Sequence, residues 1–182
     1  MPAQEVLNKY TKTLIRRAAD IKAIFVDVDG VLTDGKIIYD STGAESKQFN
    51  VKDGQIIGHL RKTGIIVGVI SGRDSVSVSK RANELKLDFC HQGIVNKEEV
   101  FKKLTAFHKL KKKEVAYIGD DINDLGPLRL SGLAVCPADA PLYIRGMVDI
   151  TTKAKGGDGV LREVADLVLA AKGLLAKILR NK

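Results

Sequence analysis

The segment KAIFVDVDG (residues 22–30) decides the fold prediction, because an apolar run leads directly into two carboxylates and a glycine. Near-continuous apolar text of this length predicts a strand that is buried on both faces, as in a parallel sheet. Four further strand candidates share this character: IIVGVIS (65–71), LDFCH (87–91), EVAYIG (114–119) and LAVC (133–136). Helical patterns lie between them near residues 54–63, 75–85, 97–110 and 123–130, and a closing helix is predicted over residues 158–180. This alternation predicts an α/β fold, a doubly wound Rossmann-like parallel sheet.

The segment GKIIYDSTGAESKQF (35–49) interrupts the alternation, because it has the pattern of two short strands around a Ser-Thr-Gly turn. It follows the first strand directly, where a doubly wound fold would normally enter a helix. Two interpretations are open: an ornament at the sheet edge, or a flap that covers a site or pairs with another subunit. Neither 30–64 nor 72–97 is long enough for a separate covering domain. We therefore expect a single domain over residues 1–182.

Composition and charge limit the classes of partner. Of the 182 residues, 45% are hydrophobic and 29% are charged, which suits a globular core. The net charge of +8 raises nucleic acid as a partner, but only 5% of residues are aromatic, and the basic runs are typical of solvated helix faces. No apolar run approaches the ~20 residues that cross a bilayer, and the N-terminus lacks a signal-peptide pattern. Cys90 and Cys136 lie in apolar text typical of buried thiols, so we expect a cytoplasmic protein with neither membrane nor nucleic-acid partners.

Acidic residues follow two of the predicted strands, at the sheet edge where such folds bind ligands. Asp27 and Asp29 end the first strand, and Asp120, Asp121 and Asp124 follow the fourth. Turn formation or helix capping would explain any one of them. Three carboxylates within five residues repel one another, however, unless a cation neutralises them. Hard oxygen ligands of this kind favour Mg²⁺, which we expect as the cofactor.

Two other strand ends carry groups suited to phosphate. Ser71, Gly72 and Arg73 end the second long strand, where a hydroxyl and backbone N–H groups can hold phosphate oxygens. Lys97 begins the next helix, where it could offset charge between carboxylate and phosphate. Taken alone, the SGR motif would be explained as a helix cap and Lys97 as a surface lysine. The order DxDG, SGR, Lys, GDDxND along one edge predicts a phosphate-transfer site.

These four motifs, in this order, resemble the haloacid dehalogenase superfamily of phosphotransferases over residues 22 to about 126. A wider set of segments resembles its 3-deoxy-D-manno-octulosonate 8-phosphate phosphatases: DVDGVLTDG (27–35), FNVKDG (49–54), SGR (71–73), NK (96–97), AYIGDDIND (116–124) and GGDGVLREV (156–164). The resemblance covers nearly the whole chain apart from the first helix. Phosphatases of nine-carbon keto sugar acids are close relatives, so they stay an alternative.

The resemblance implies a role for each matched residue. Asp27 would be the nucleophile and a metal ligand, and Asp29 the general acid/base whose backbone carbonyl also binds the metal. Asp120 would be the third ligand, with Asp121 and Asp124 near the metal or its waters. Ser71 and Lys97 would hold the phosphoryl group. The sugar-acid contacts, some from a neighbouring subunit, would come from Asn50, Val51, Lys52, Asp53, Gly54, Gly72, Arg73 and Arg81.

The same resemblance implies a protein without a cap domain, a homotetramer assembled with the help of the hairpin, and a place in lipopolysaccharide precursor synthesis. At Gly58 several relatives carry a basic residue, so the identity of the sugar stays open. A receiver-like signalling module also combines Asp, Lys and a hydroxyl on an α/β fold. The first-strand position of Asp27 and the extra hairpin argue against it. A non-catalytic partner of a sugar-nucleotide enzyme would lack some core residues, and none is missing.

Overall fold

The computed structural model describes residues 2–180. Its helices are α1 (Pro2–Leu7), α2 (Lys12–Asp20), α3 (Val51–Lys62), α4 (Val76–Leu85), α5 (Lys97–Phe107), α6 (Leu125–Leu130), α7 (Leu142–Arg145), α8 (Val160–Ala171) and α9 (Leu175–Arg180). Its strands are β1 (Ala23–Val26), β2 (Ile38–Tyr39), β3 (Glu45–Ser46), β4 (Ile66–Ile70), β5 (Phe89–His91), β6 (Val115–Ile118), β7 (Leu133–Cys136) and β8 (Ile150–Thr151). Short 3₁₀ turns cover Lys112–Glu114 and Ile122–Asp124.

Six strands form one parallel sheet in the order β5-β4-β1-β6-β7-β8. Strand β1 lies between β4 and β6, with Ala23 opposite Ile66 on one side and Val115 on the other. All five predicted strands are present, and the predicted parallel α/β fold is confirmed. The edge strand β8 was missed because two residues are too few to show a periodicity.

Helices cover both faces of this sheet and give it two cores. Ile24 and Val26 of β1 belong to the core that also takes residues from α2, α3 and α8. Ala23 and Phe25 point to the other core, together with residues from α5, α6 and α7. Because successive side chains of a strand alternate between faces, burial on both sides requires apolar residues throughout. This is why β1 shows a continuous apolar run rather than an alternating one.

The predicted closing helix over 158–180 is wrong in one respect, because the structure has two helices, α8 and α9. Gly173, with φ of +69°, lies between them in a left-handed conformation that favours glycine. The Gly173 N–H donates to Ala170 O, and the Leu174 N–H donates to Leu169 O. These two bonds form the glycine-terminated helix end known as a Schellman motif. The apolar periodicity on both sides of Gly173 hid this break.

The predicted hairpin is present as β2 and β3, and within residues 2–180 it is the only strand pair outside the main sheet. Asp40 closes its turn, because its Oδ1 accepts hydrogen bonds from the backbone of Thr42 and Ala44 and from the Thr42 hydroxyl. Ile37, Ile38 and Tyr39 are all exposed. The pairing of this hairpin with another subunit stays a prediction. No helix in the described part of the chain is both long enough and apolar enough to span a membrane.

Candidate active site

The carboxyl ends of β1, β4 and β6 meet at one polar cleft of about 220 Å³. Most of the predicted catalytic and phosphate-binding residues line it: Asp27, Asp29, Ser71, Gly72, Arg73, Asp120 and Asp121. Gly30, Gly35 and Asn123 also line the cleft; they lie in the quoted motif segments, but sequence reasoning gave them no role. The strand ends meet here because the parallel strands share one direction and β1 is paired with both β4 and β6.

Lys97 lies at the floor of the cleft and is buried, although the ordinary expectation for such a residue is an exposed side chain. Its ammonium is 2.8 Å from Asp27 Oδ2 and 2.8 Å from Asp124 Oδ1. Asn96 caps α5 by accepting a hydrogen bond from the Glu99 N–H, which directs the first residue of the helix towards the sheet edge. A buried ammonium needs such partners, because desolvation without them costs several kcal/mol. The lysine and its two carboxylates therefore form one electrostatic unit.

The carboxylates around Lys97 outnumber the cations. Asp27, Asp120 and Asp124 each have an oxygen within 4.8 Å of those of the others. Burial, reinforced by Asp124 and opposed by Lys97, raises the pKa of Asp27 to about 8. Burial, with Asp124 and Asp121, raises the pKa of Asp120 to about 7. Burial would lower the pKa of Lys97, but its attraction to Asp27 and Asp124 outweighs this and raises it. A divalent cation would relieve the excess negative charge, and oxygen donors of this kind fit magnesium.

Asp124 uses its carboxylate mainly to hold its neighbours in place. Its Oδ1 accepts from Lys97 Nζ at 2.8 Å and from the Tyr117 hydroxyl at 2.7 Å, and its Oδ2 accepts from the Asp120 N–H at 3.1 Å. The Asp121 N–H also points to Oδ2, at 3.4 Å. Asp124 therefore supports both the lysine and the acidic turn. Sequence reasoning missed Tyr117, which looked like an ordinary strand residue, although a buried tyrosine hydroxyl usually requires a partner.

Gly30 allows the two acidic segments to approach each other. It has φ of +83°, and a Cβ added there would lie 2.0 Å from Asp120 Oδ2. Any larger residue would therefore displace Asp120 from the cleft. The glycine of the DxDG motif is required by this contact as well as by its turn conformation.

Asp29 is oriented differently from the other acidic residues. Its Oδ1 is paired with Lys47 Nζ, its Oδ2 is 3.6 Å from Arg73 Nε, and its side chain is 24% exposed. Among the described residues it is not one of the carboxylates that converge around Lys97. An acid/base group must exchange protons, so its carboxyl has to avoid a metal that would keep it ionised. The observed orientation keeps the carboxyl of Asp29 out of that carboxylate cluster and pairs it with two side-chain cations instead.

Comparisons with known proteins agree with this geometry. Residues 87–164 match the model of the haloacid dehalogenase-like hydrolase family. The chain is 38% identical to the 3-deoxy-D-manno-octulosonate 8-phosphate phosphatase KdsC of Haemophilus influenzae, over 87% of this chain and 88% of the relative. It is 40% identical to the KdsC of Yersinia pestis, over 89% and 87%. The chain belongs to this phosphatase family. As the sequence predicted, it is a hydrolase of phosphoric monoesters.

A solved structure of a family member supports the choice of metal. The phosphatase of Moraxella catarrhalis was crystallised in complex with magnesium ion, phosphate ion and KDO, and is similar to this chain with a TM-score of 0.92. The two are 35% identical, and the match covers 94% of this chain and 99% of that one. The predicted magnesium cofactor is thus supported by the carboxylate cluster of this chain and by the ion in this relative.

Several sugar contacts implied by family resemblance lie away from the cleft of this phosphatase subunit. Asp53, Gly54 and Arg81 line an internal, mainly apolar cavity beneath α3 and α4. The Asp53 Oδ1 accepts from the Arg162 N–H at 2.7 Å, while its Oδ2 and Arg81 Nε have no hydrogen-bond partner among the described residues. Burial raises the pKa of Asp53 to about 6. The structure therefore does not bring these side chains to the polar cleft.

The remaining residues of the NVKDG segment divide into two groups. Asn50 caps α3 by accepting from the Lys52 N–H at 2.9 Å, and its amide donates to Gly157 O at 3.0 Å. Both ends of its side chain are thus engaged within the fold. Val51 and Lys52 are exposed at the start of α3.

Proposed function

We propose that this phosphatase hydrolyses 3-deoxy-D-manno-octulosonate 8-phosphate to the free sugar acid and phosphate, in lipopolysaccharide precursor synthesis. The observation that carries the proposal is the buried pair of Asp27 and Lys97 at the floor of a cleft that also holds Asp120 and Ser71. A carboxylate nucleophile beside a cation and a hydroxyl is suited to attack on a phosphate ester. The relatives named above supply the substrate class.

The proposed reaction has two steps, and Asp27 is the nucleophile of the first. Its carboxylate oxygen attacks phosphorus, an aspartyl phosphate forms, and the bond between phosphorus and the sugar oxygen breaks. Asp29 gives a proton to the departing oxygen. In the second step Asp29 takes a proton from water, the water oxygen attacks phosphorus, and the bond to Asp27 breaks. Phosphate is released and Asp29 is protonated again.

Other groups of the chain position and stabilise the phosphoryl group. Lys97 and Ser71 would face its equatorial oxygens, together with backbone N–H groups of the turn at Gly72. Magnesium, when held by Asp27, Asp120 and the Asp29 carbonyl, would offset the repulsion between carboxylate and phosphate dianion. Lys97 also keeps its bond to Asp124, which limits its movement during the reaction.

The identity of the sugar is the main alternative within this proposal. Gly58 lies exposed on α3, and a Cβ added there would contact nothing within 4 Å. The missing basic side chain therefore leaves open space on the helix, and a nine-carbon keto sugar acid 9-phosphate is the second candidate. Membership of the phosphatase family argues against the receiver-like module.

We also infer that the active protein is a homotetramer and that a neighbouring subunit completes each site. The support is the apolar surface of the hairpin, where Ile37, Ile38 and Tyr39 are 50%, 45% and 60% exposed. Exposed strand pairs of this kind invite contact with another chain. A cytoplasmic location stays a prediction, and its support is that Cys90 and Cys136 are both free thiols.

The test is phosphate release from a panel of keto-sugar-acid phosphates, measured with magnesium, with a chelator, and with calcium. We expect the eight-carbon ester to show the highest kcat/KM, chelation to abolish turnover, and added magnesium to restore it. Calcium should support little turnover, because its larger and looser coordination disturbs in-line attack. A higher kcat/KM on the nine-carbon ester would identify that ester, in place of the eight-carbon one, as the substrate. Full turnover in the chelated sample would contradict the mechanism.

A further inference from the structure

A second buried lysine, Lys47, lies at the base of the hairpin, immediately after β3. Its side chain is only 1% exposed. Its ammonium is 2.5 Å from Asp29 Oδ1 and 3.2 Å from Glu45 Oε1. Because an ammonium is expensive to bury without partners, this position depends on the two carboxylates. The hairpin therefore contacts the residue that we propose as the acid/base.

Arg73 is the second cation that contacts both Asp29 and Glu45. Its Nη2 is 2.9 Å from Glu45 Oε1, and its Nε is 3.6 Å from Asp29 Oδ2. The two oxygens of Asp29 thus face different cations, and Glu45 contacts both cations. The Ser77 hydroxyl donates to Glu45 O at 3.3 Å, which anchors the base of the hairpin on α4. The Asp29 carboxyl is thus held by Lys47 on Oδ1 and Arg73 on Oδ2, and the Thr33 hydroxyl also donates to Oδ1 at 3.5 Å.

We propose that Lys47 is a positioning residue that holds the carboxyl of Asp29 towards the leaving oxygen and away from the cluster around Lys97. This inference rests on the proposed function. Without the Lys47 ammonium, Asp29 and Glu45 would face each other as like charges, with Arg73 as their one shared cation and the Thr33 hydroxyl as a weak neutral donor to Asp29. Asp29 could then rotate towards the cation-binding cluster, where it cannot donate a proton. On this proposal the hairpin takes part in proton transfer through Lys47.

The leaving group separates this role from a merely structural one. A sugar alkoxide must be protonated as it departs, so its departure needs a correctly placed Asp29. The p-nitrophenolate ion is stable without a proton, so its departure does not. Hydrolysis of the aspartyl phosphate needs Asp29 as a base for either substrate. Loss of Lys47 should therefore slow the first step for the sugar ester alone, and the second step for both esters.

The experiment is rapid-quench kinetics on the wild type, Lys47→Met and Lys47→Arg, with magnesium, using 3-deoxy-D-manno-octulosonate 8-phosphate and p-nitrophenyl phosphate. For Lys47→Met we expect phosphoenzyme formation from the sugar ester to slow about 10- to 100-fold, part of the 10²–10⁴ typical of acid–base catalysis. With p-nitrophenyl phosphate we expect Lys47→Met to release a burst of about one p-nitrophenolate per site. The rate constant of this burst should equal that of the wild type, and the steady-state rate that follows should be slower. Lys47→Arg should recover most of the sugar activity.

Lys36→Met is the matched control, because Lys36 is a hairpin lysine whose exposed side chain pairs only with Asp34 at 2.9 Å among the described residues. It should behave like the wild type on both esters. If Lys47→Met fails to fold, Glu45→Gln is the second variant, because it weakens the ion pair that holds Lys47. It should slow phosphoenzyme formation from the sugar ester by a smaller factor and leave the burst from p-nitrophenyl phosphate unchanged. Equal slowing of the burst and of the sugar reaction would overturn the inference, as would no change in either.

The wild-type results distinguish this inference from the proposed function. A wild type that forms phosphoenzyme and turns over the sugar ester, combined with variants that show no dependence on the leaving group, would overturn the role of Lys47 alone. A wild type that forms no phosphoenzyme from either ester would overturn the proposed function, and the role of Lys47 with it.

Discussion

The floor and the rim of the cleft are built in different ways. The floor consists of Asp27, Lys97 and Asp124, which are all buried. Asp27 follows β1, Lys97 begins α5, and Asp124 ends the 3₁₀ turn before α6. We assign the rim to the hairpin, because its Glu45 pairs with Arg73, which lines the cleft. The strands of the hairpin have only two residues each and lie outside the main sheet. Phosphoryl chemistry needs fixed geometry, and packed strand ends supply it. Selection among sugars can depend on a surface element, because its sequence can vary without destabilising the core.

The largest expected effect is at the floor. Asp27→Asn should lower kcat by about 10⁴-fold or more on both the sugar ester and p-nitrophenyl phosphate, because a neutral amide cannot form the aspartyl phosphate. The fold should be kept, since the change removes one charge from three crowded carboxylates. The measurement is phosphate release together with the thermal unfolding midpoint. Asp34→Asn, at an exposed carboxylate, is the control and should keep wild-type rates; near wild-type release by Asp27→Asn would refute the nucleophile.

A smaller effect, restricted to the sugar ester, is expected at the rim. Ile37→Asp combined with Ile38→Asp should give a species of lower mass and lower kcat/KM for the sugar ester by about 10- to 100-fold, since charge disfavours subunit contact. Activity on p-nitrophenyl phosphate should change little. Light scattering and the two assays measure this. Phe107→Asp, at an exposed apolar residue on the last turn of α5, is the matched control. A wild type that is fully active as a monomer would contradict the prediction.

Asp53 tests whether a residue predicted to contact the sugar belongs instead to the supporting fold. Because burial raises its pKa from 3.8 to about 6, the folded state favours the protonated carboxyl. The contribution of the protonated Asp53 carboxyl to the free energy of unfolding is fully present below about pH 4. It is lost as the pH rises through about 6, and the loss is at most about 3 kcal/mol. Asp53→Asn should therefore gain free energy of unfolding relative to the wild type between pH 5 and pH 8, measured by urea unfolding.

The control for this prediction is Asp40→Asn in the hairpin turn. Hydrogen bonds from Thr42 and Ala44 lower the pKa of Asp40, so its contribution is present at neutral pH and is lost as the pH falls. The two variants should therefore differ in the sign of their pH dependence. If Asp53→Asn leaves the pH dependence unchanged and instead raises KM for the sugar ester in an intact oligomer, Asp53 is a sugar contact.

The smallest expected effect concerns the exposed face of α3. Gly58→Arg has room, and both it and Gly58→Ala should raise the free energy of unfolding by up to about 1 kcal/mol, because glycine is a poor residue inside a helix. Only the arginine should lower KM for the eight-carbon ester, by a few-fold, if a subunit contact reaches the sugar carboxylate. KM for p-nitrophenyl phosphate should stay the same. Identical kinetics for the two variants would remove this helix position from sugar recognition.

The strands were predicted correctly because each is buried on both faces and therefore carries an unbroken apolar run. The DxDG and GDDxND motifs were recognisable because several carboxylates at strand ends exceed what turns or caps require. The break at Gly173 was missed because one glycine between two apolar helical patterns does not by itself indicate a helix end. Tyr117 was missed because its hydroxyl matters only through Asp124, which lies seven residues away.

By itself the sequence determined the parallel sheet, and it predicted which edge of the sheet carries the acidic motifs and which residues we propose to face phosphate. These depend on local patterns: apolar runs, acidic strand ends and the order of the motifs. Only the tertiary structure decided that Lys97 is buried between Asp27 and Asp124, that Asp53 faces an internal cavity, and that Lys47 reaches Asp29. Each of these contacts joins segments distant in the chain, and its energy depends on burial and charge balance that no single segment contains.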